Sequence, residues 1–323
     1  MTVTSVLDLA PVRSAWRPPE RVPAAEWCPA NIRFPKNVSA IRGVWAASLY
    51  PYLAGPLEAF DSPYVQTIAL RWATRLGKTT VPLALGVWAI ANDPAPILLA
   101  GPTEPKTLQI AERFLDLVEA TPATRGLVPP PGKRNWKKGV SVGSAIVHVG
   151  WSRSAASLGD LPIKYLVCFE ASKWVNPPGE GDSIGLALSR IKGYPGSKAI
   201  FESTPTVEHH CRVSARMDLA ERYEYFIPCP RCDGYQILQF EGEDCGVRWE
   251  KLGEHSTPEI ARRTAHYVCR HCAARIEPAE RPAILRAGVW RREGSEPSTD
   301  PRSPTPIGPG TWGFSFRRSA RRS

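Results

Sequence analysis

A compact apolar run at residues 65–70 (VQTIAL) leads through the loop RWATRLGKTT into a second apolar stretch over residues 81–91. No other feature narrows the possible folds as far. An uninterrupted run of this kind is the pattern of a strand buried on both faces, as in a parallel sheet. The loop ends in Leu76-Gly77-Lys78-Thr79-Thr80 and opens directly into the helical stretch. Backbone N–H groups at a helix N-terminus form a ready cradle for phosphate. In such a loop Gly77 and Thr80 flank the phosphates, Lys78 neutralises the β- and γ-phosphates, and Thr79 holds Mg²⁺ through its hydroxyl. The complete pattern has another glycine six residues before the lysine, where this chain has Trp72. Gly-Lys-Thr also occurs at ordinary strand-to-helix turns. The strand before it and the helix after it favour a site for ATP and Mg²⁺.

Strands and helices continue to alternate. Residues 97–100 read as a strand, and 105–120 have helical periodicity with Leu108, Ala111, Phe114, Leu115 and Val118 on one side. A loop with a basic stretch covers 129–138, and strands follow at 144–149, 163–168 and 198–202. This alternation indicates an α/β fold, a mostly parallel sheet with helices on both faces. The phosphate loop makes it a RecA-like P-loop ATPase core over residues 41–220. A helical pattern near residues 40–60 carries Trp45, Tyr50 and Tyr52, and the two tyrosines are either core aromatics or a stacking surface for adenine. Residues 1–40 are rich in proline and read as an extended arm. Residues 221–292 change texture to short strand-like runs, and 293–323 read as a disordered or truncated tail.

P-loop ATPases end a second buried strand in two acids, one supporting Mg²⁺ and one orienting the attacking water. The segment YLVCFE at 165–170 supplies the strand and the second acid, Glu170, but the first acid is replaced by Phe169. Mg²⁺ would then rest on Thr79, the phosphates and its own waters, which predicts weaker metal binding and slower turnover. A buried strand with a solvated glutamate at its end would look the same. A third strand ends in Ser203-Thr204-Pro205-Thr206, placed to sense the γ-phosphate or simply to turn the chain.

The most specific motif is a pair of Cys-x-x-Cys knuckles, Cys229/Cys232 and Cys269/Cys272. Four thiolates give a closed tetrahedral site for structural Zn²⁺, hence a zinc-ribbon-like β module. Arg262, Arg263 and His266 precede the second knuckle and could touch DNA phosphates or form a solvated face. The net charge of +10 suits a phosphate-rich partner, although arginine-rich composition alone could produce it. No apolar stretch is long enough to span a membrane and no signal peptide is recognisable, so the expected location is the cytoplasm.

Taken in order, WRPPE, YPYL, RLGKT, DPAPILLAGPTE, the serine turn at 154–158, Glu170, GEGD, ESTPT and YFIPCPRC resemble the phage terminase large subunit of the lambda gpA type. The resemblance runs from about residue 16 to about residue 290. It implies an ATPase that drives double-stranded DNA into a procapsid, in the bacterial host cytoplasm, as a homo-oligomer with a terminase small subunit and the portal. Lys78 and Thr79 match the family's phosphate loop, Glu170 its catalytic acid, and Ser203, Thr204, Pro205 and Thr206 its coupling motif. Arg75 lies where packaging motors carry a residue that reaches the γ-phosphate, and Arg190 is a weaker candidate for the same task. A nuclease domain follows the ATPase in the family. No later acidic cluster is present here, so the nuclease is expected to be lost or on another chain. A helicase-like remodelling ATPase, or a prophage remnant that binds DNA or nucleotide without hydrolysis, would share much of this pattern.

Overall fold

The computed structural model describes residues 21–36, 43–159, 161–204, 211–250, 257–294 and 310–315. In chain order the first elements are helix α1 (Ala24–Asn31), strands β1 (Arg33–Phe34) and β2 (Gly43–Val44), and helix α2 (Ala54–Asp61). Then follow β3 (Val65–Arg71), α3 (Thr80–Asn92), β4 (Ile97–Gly101), α4 (Glu104–Ala120), β5 (Val140–Val142), β6 (Ala145–Trp151), α5 (Ala155–Gly159) and β7 (Tyr165–Cys168). Next come α6 (Ser183–Ser189), β8 (Lys198–Ser203), α7 (Arg212–Asp218), β9 (Glu221–Pro228) and β10 (Tyr235–Ile237). The described chain closes with β11 (Gly246–Arg248), α8 (Pro258–Thr264), β12 (His266–Val268), β13 (Arg275–Ile276), α9 (Arg281–Arg286), β14 (Val289–Arg292) and β15 (Gly310–Ser315).

One large sheet runs in the order β10-β9-β15-β3-β8-β7-β4-β6-β5, with β14 also paired to β9. The strands from β9 to β6 are mutually parallel, and β10, β14 and β5 are antiparallel additions. A small second sheet, β11-β12-β13, stands apart. Strand alternation divides the core in two. Ile68, Leu70, Val167, Phe169 and Ile200 face α1 to α4, whereas Ala199, Phe201, Leu166 and Cys168 face α5 and α6. Met217 and Val213 of α7 cover Ala69 on that second side. The expected α/β architecture with a largely parallel sheet is therefore present.

Four expectations change. The part of the proline-rich arm that is described is not extended: residues 24–31 form α1, with Trp27 and Cys28 buried. Pro23 precedes the helix, and the Asp61 carboxylate accepts from the N–H groups of Ala24 and Ala25 at 2.6 and 2.9 Å. That carboxylate satisfies donors every helix start leaves open. The helical pattern assigned to residues 40–60 starts only at Pro51, after β2 and a turn. Finally, residues 310–315 of the supposed tail form β15, hydrogen-bonded between β3 and β9 near the middle of the sheet. The sheet also crosses the boundary expected at 220/221, because β9 and β14 belong to it.

Candidate functional site

In an open parallel sheet, ligands bind beyond the carboxyl ends of the strands. Here the ends of β3, β8 and β7 lie side by side. From β3 the chain passes through Trp72, whose N–H donates to the Ser203 carbonyl at 3.3 Å. The loop then turns on two left-handed residues, Arg75 (φ 66°) and Gly77 (φ 82°). Glycine adopts this conformation freely, whereas an arginine there carries strain of about 1–3 kcal/mol. The Gly77 carbonyl accepts from the N–H groups of Thr80 and Val81, so the loop feeds directly into α3. Trp72, at the place of the expected first glycine, is fully buried. Its ring stacks on Trp290 (6.4 Å, 13°) and meets Tyr52 edge-on at 5.8 Å. A tryptophan stands here because β14 packs against this strand end, and the turn is made by Arg75 and Gly77 instead.

The structure brings three of the expected site residues, Lys78, Thr79 and Glu170, around one that sequence reasoning had not assigned. Glu202, near the end of β8, is 1% exposed. Its Oε1 accepts from Thr79 Oγ1 at 3.5 Å and from the Glu170 backbone N–H at 3.3 Å. Lys78 Nζ lies 3.9 Å from its Oε2, which is buried and accepts no hydrogen bond. Burial pushes the Glu202 carboxyl up to about 7, against the pull of the Lys78 ammonium. The signal was in the sequence: a glutamate directly after an apolar strand interior (KAIFES) costs stability unless it has a task.

Glu170 follows β7 in the left-handed region (φ 48°), rare for a side chain of its size. Its carboxylate pairs with Lys173 Nζ at 2.6 Å. Ser203 is buried, and its Oγ accepts from the Ser172 N–H at 3.2 Å, tying β8 to the turn after Glu170. Thr204 ends this described stretch; Pro205 and Thr206 lie outside the described residues. Arg75 is exposed at the loop. Arg190 is not near the site. Its carbonyl accepts from the N–H of Ile163, ahead of β7, at the end of the sheet opposite the phosphate loop. Tyr52 is enclosed by Trp72, Tyr50 and Tyr225 and is a core aromatic, not an adenine platform.

The second site is the four-cysteine cluster. The Sγ atoms of Cys229, Cys232, Cys269 and Cys272 all lie within 4.8 Å of one another, with Cys229–Cys272 at 3.8 Å and Cys232–Cys269 at 3.9 Å. Sulfurs bound at about 2.3 Å around a tetrahedral ion stand about 3.8 Å apart, so the spacing fits such a centre. The two knuckles share one design. Asp233 and Ala273 both take positive φ (56° and 55°), and their N–H groups donate to the carbonyls of Cys229 and Cys269. The N–H groups of Arg231 and His271 donate to the sulfurs of Cys229 and Cys269, each at 3.4 Å. Burial would raise the Cys269 thiol, but backbone donors from Cys272 and His271 bring it down to about 6. Arg262 and Arg263 are exposed on α8, and the His266 ring sits against the Thr264 carbonyl at 2.9 Å. Among the described residues no helix is long and apolar enough to cross a membrane.

The terminase large subunit of Enterobacteria phage P21 is 25% identical over 292 residues, an alignment covering 85% of this chain and 44% of the relative. The chain thus spans less than half the length of that curated relative. Among solved structures, the HK97 bacteriophage large terminase aligns with a TM-score of 0.48 and 14% identity over 61% of this chain and 41% of that one. The Thermus phage P74-26 large terminase ATPase domain aligns with a TM-score of 0.38 and 11% identity, over 50% and 68%. The family model described as the phage terminase large subunit gpA, ATPase domain, matches residues 39–290, and the chain belongs to that family.

Proposed function

We propose that this chain is the ATP-hydrolysing motor of a phage DNA-packaging enzyme, translocating double-stranded DNA into a procapsid. The reading rests on one observation: a left-handed phosphate-type loop opening α3 abuts two glutamates at the ends of neighbouring parallel strands. Family membership supports it. On this reading the core is RecA-like. The Gly77–Thr80 backbone and Lys78 would hold the phosphates, and Thr79 would hold Mg²⁺, which would shield their charge. Glu170 orients a water whose oxygen bonds to the γ-phosphorus as the bridging oxygen leaves with ADP, the water's proton passing to the carboxylate or to bulk solvent. Arg75 reaches the developing charge. Ser203 links the γ-phosphate side to the turn after Glu170, and Ser203, Thr204, Pro205 and Thr206 would form the coupling motif. The partners would be a terminase small subunit, the portal and further copies of the chain, in the cytoplasm of the bacterial host.

The four cysteines fit a structural Zn²⁺, which would make residues 221–292 a zinc-ribbon-like module attached to the motor. Its exposed Arg262 and Arg263 offer sequence-independent contacts to DNA phosphates.

The test is Mg²⁺-dependent ATP hydrolysis with and without double-stranded DNA. Hydrolysis stimulated by DNA and reduced at least about a hundredfold by Lys78→Ala supports the motor. Hydrolysis indifferent to Lys78, or none, sinks it, and strand separation on a forked substrate points to a helicase-like remodeller instead.

A further inference from the structure

The end of β7 lacks the acid that holds Mg²⁺ in other phosphate-loop enzymes, because Phe169 stands there, fully buried in the core beneath α3. The pairing register shows what takes its place. Phe201 of β8 lies opposite Cys168 of β7, so the next residues along, Glu202 and Phe169, are level with each other. On the other side Glu202 pairs with Leu70 of β3, the strand that feeds the phosphate loop. Alternation puts Glu202 on the same face as Ile200, Val167, Phe169 and Leu70, the face covered by α3. Its carboxylate therefore points where an aspartate at 169 would have pointed, one strand closer to the loop.

From this geometry we infer that Glu202 is the carboxylate partner of the Mg²⁺ bound with ATP, a task transferred from β7 to β8. The inference rests on the ATPase reading above. Two contacts and one unsatisfied oxygen support it. Oε1 is bonded to Thr79 Oγ1, the hydroxyl that faces the metal in phosphate-loop sites. Lys78, the phosphate lysine, stands 3.9 Å from Oε2. Oε2 itself is buried without a hydrogen-bond partner, which a purely structural glutamate has no reason to tolerate. When nucleotide draws Lys78 onto its phosphates, Oε2 loses its nearest cation, and a divalent ion beside Thr79 supplies the missing charge. Glu170, whose Oε2 pairs with Lys173 at 2.6 Å, is left to the water. The two acids usually found side by side on one strand are thus split between β7 and β8.

The test uses the full chain, Mn²⁺ and a non-hydrolysable ATP analogue, with bound Mn²⁺ counted by electron paramagnetic resonance and analogue affinity measured with and without the metal. Glu202→Gln keeps an acceptor for Thr79 but removes the charge. It is expected to weaken Mn²⁺ binding in the nucleotide complex at least tenfold while leaving metal-free analogue binding unchanged or tighter. Glu202→Asp keeps the charge and is expected to retain most of the metal affinity, whereas a residue needed only for packing would suffer equally from both changes. Equal Mn²⁺ affinity in the wild-type and Glu202→Gln chains, or equal loss in both variants, overturns the inference while leaving the ATPase reading intact. A wild-type chain that binds no analogue removes both.

Discussion

At the scale of single residues, the chain keeps several charges in its interior, and each is held by a specific partner. Lys198 opens β8 with 4% exposure, and its ammonium donates to the carbonyls of Ser62 and Val65 at the start of β3. Burial pushes this group down from its ordinary 10.5 to about 8. Between those values the unfolded chain binds more protons than the folded one, so the folded form gains stability as pH rises from about 8 towards 10.5. Below about 8 the full cost of burying the charge is present. The unfolding free energy of the wild type, taken relative to Lys198→Gln to cancel other titrations, is expected to increase over that window. A difference that stays flat with pH would mean the ammonium is not desolvated in the fold. Phe169 is the converse case. It is fully buried beneath α3, and converting it to aspartate would forfeit about 3–5 kcal/mol of packing before any charge is counted. The sequence alone treats Phe169 as a defect in the metal site; the packing gives it a structural task.

Elements owe their placement to contacts far apart in the chain. The two cysteine knuckles sit on separate turns, one between β9 and β10 and one between β12 and β13, of two different sheets. The turns meet through the Arg270 N–H donating to Gln236 Oε1 at 2.8 Å and the His271 ring against the Tyr235 carbonyl at 2.9 Å, and through the four sulfurs, all inside 4.8 Å. On the zinc reading, purified chain carries one Zn²⁺ per molecule, and Cys232→Ser loses it. Chelation or that substitution should loosen the small sheet by several kcal/mol, since metal binding and folding are coupled in such sites. Elemental analysis together with proteolysis of the 229–276 region reads both effects. A metal-free chain whose cysteine turns resist protease equally would refute the staple.

At the scale of the whole molecule, β15 is the keystone of the sheet. It lies between β3 and β9, parallel to both, and Phe314 packs edge-on against Trp290 at 4.9 Å and near Tyr223 at 5.8 Å. Trp290 in turn stacks on Trp72 and donates through Nε1 to the Tyr52 carbonyl at 2.9 Å. This aromatic chain fastens the phosphate loop to β9 and β14, and through them to the cysteine module. A chain ending at residue 309 would leave β3 and β9 with open edges beside the Gly77–Thr80 loop. It is expected to aggregate or to lose protease resistance around residues 65–80, as read by size-exclusion chromatography and limited proteolysis. A monomer with unchanged resistance would show that β15 is dispensable.

The sequence by itself determined the parallel α/β core, because runs such as VQTIAL and YLVC alternate with helical stretches, and it singled out the turn of Gly77, Lys78 and Thr79 between β3 and α3, since those residues are local in the chain. It also paired the four cysteines correctly as one cluster, because their chemistry leaves few alternatives. Tertiary structure alone decided the rest. Glu202 acquires its meaning from β8 lying between β3 and β7, an order no local pattern encodes. Residues 310–315, read from composition as tail, become a central strand because the open edges of β3 and β9 supply hydrogen bonds that the segment cannot make alone. Trp72 replaces a loop glycine because Trp290, more than two hundred residues away, packs on it. In each case the deciding interaction is long-range, and the free energy that fixes the residue's role exists only once the strands are assembled.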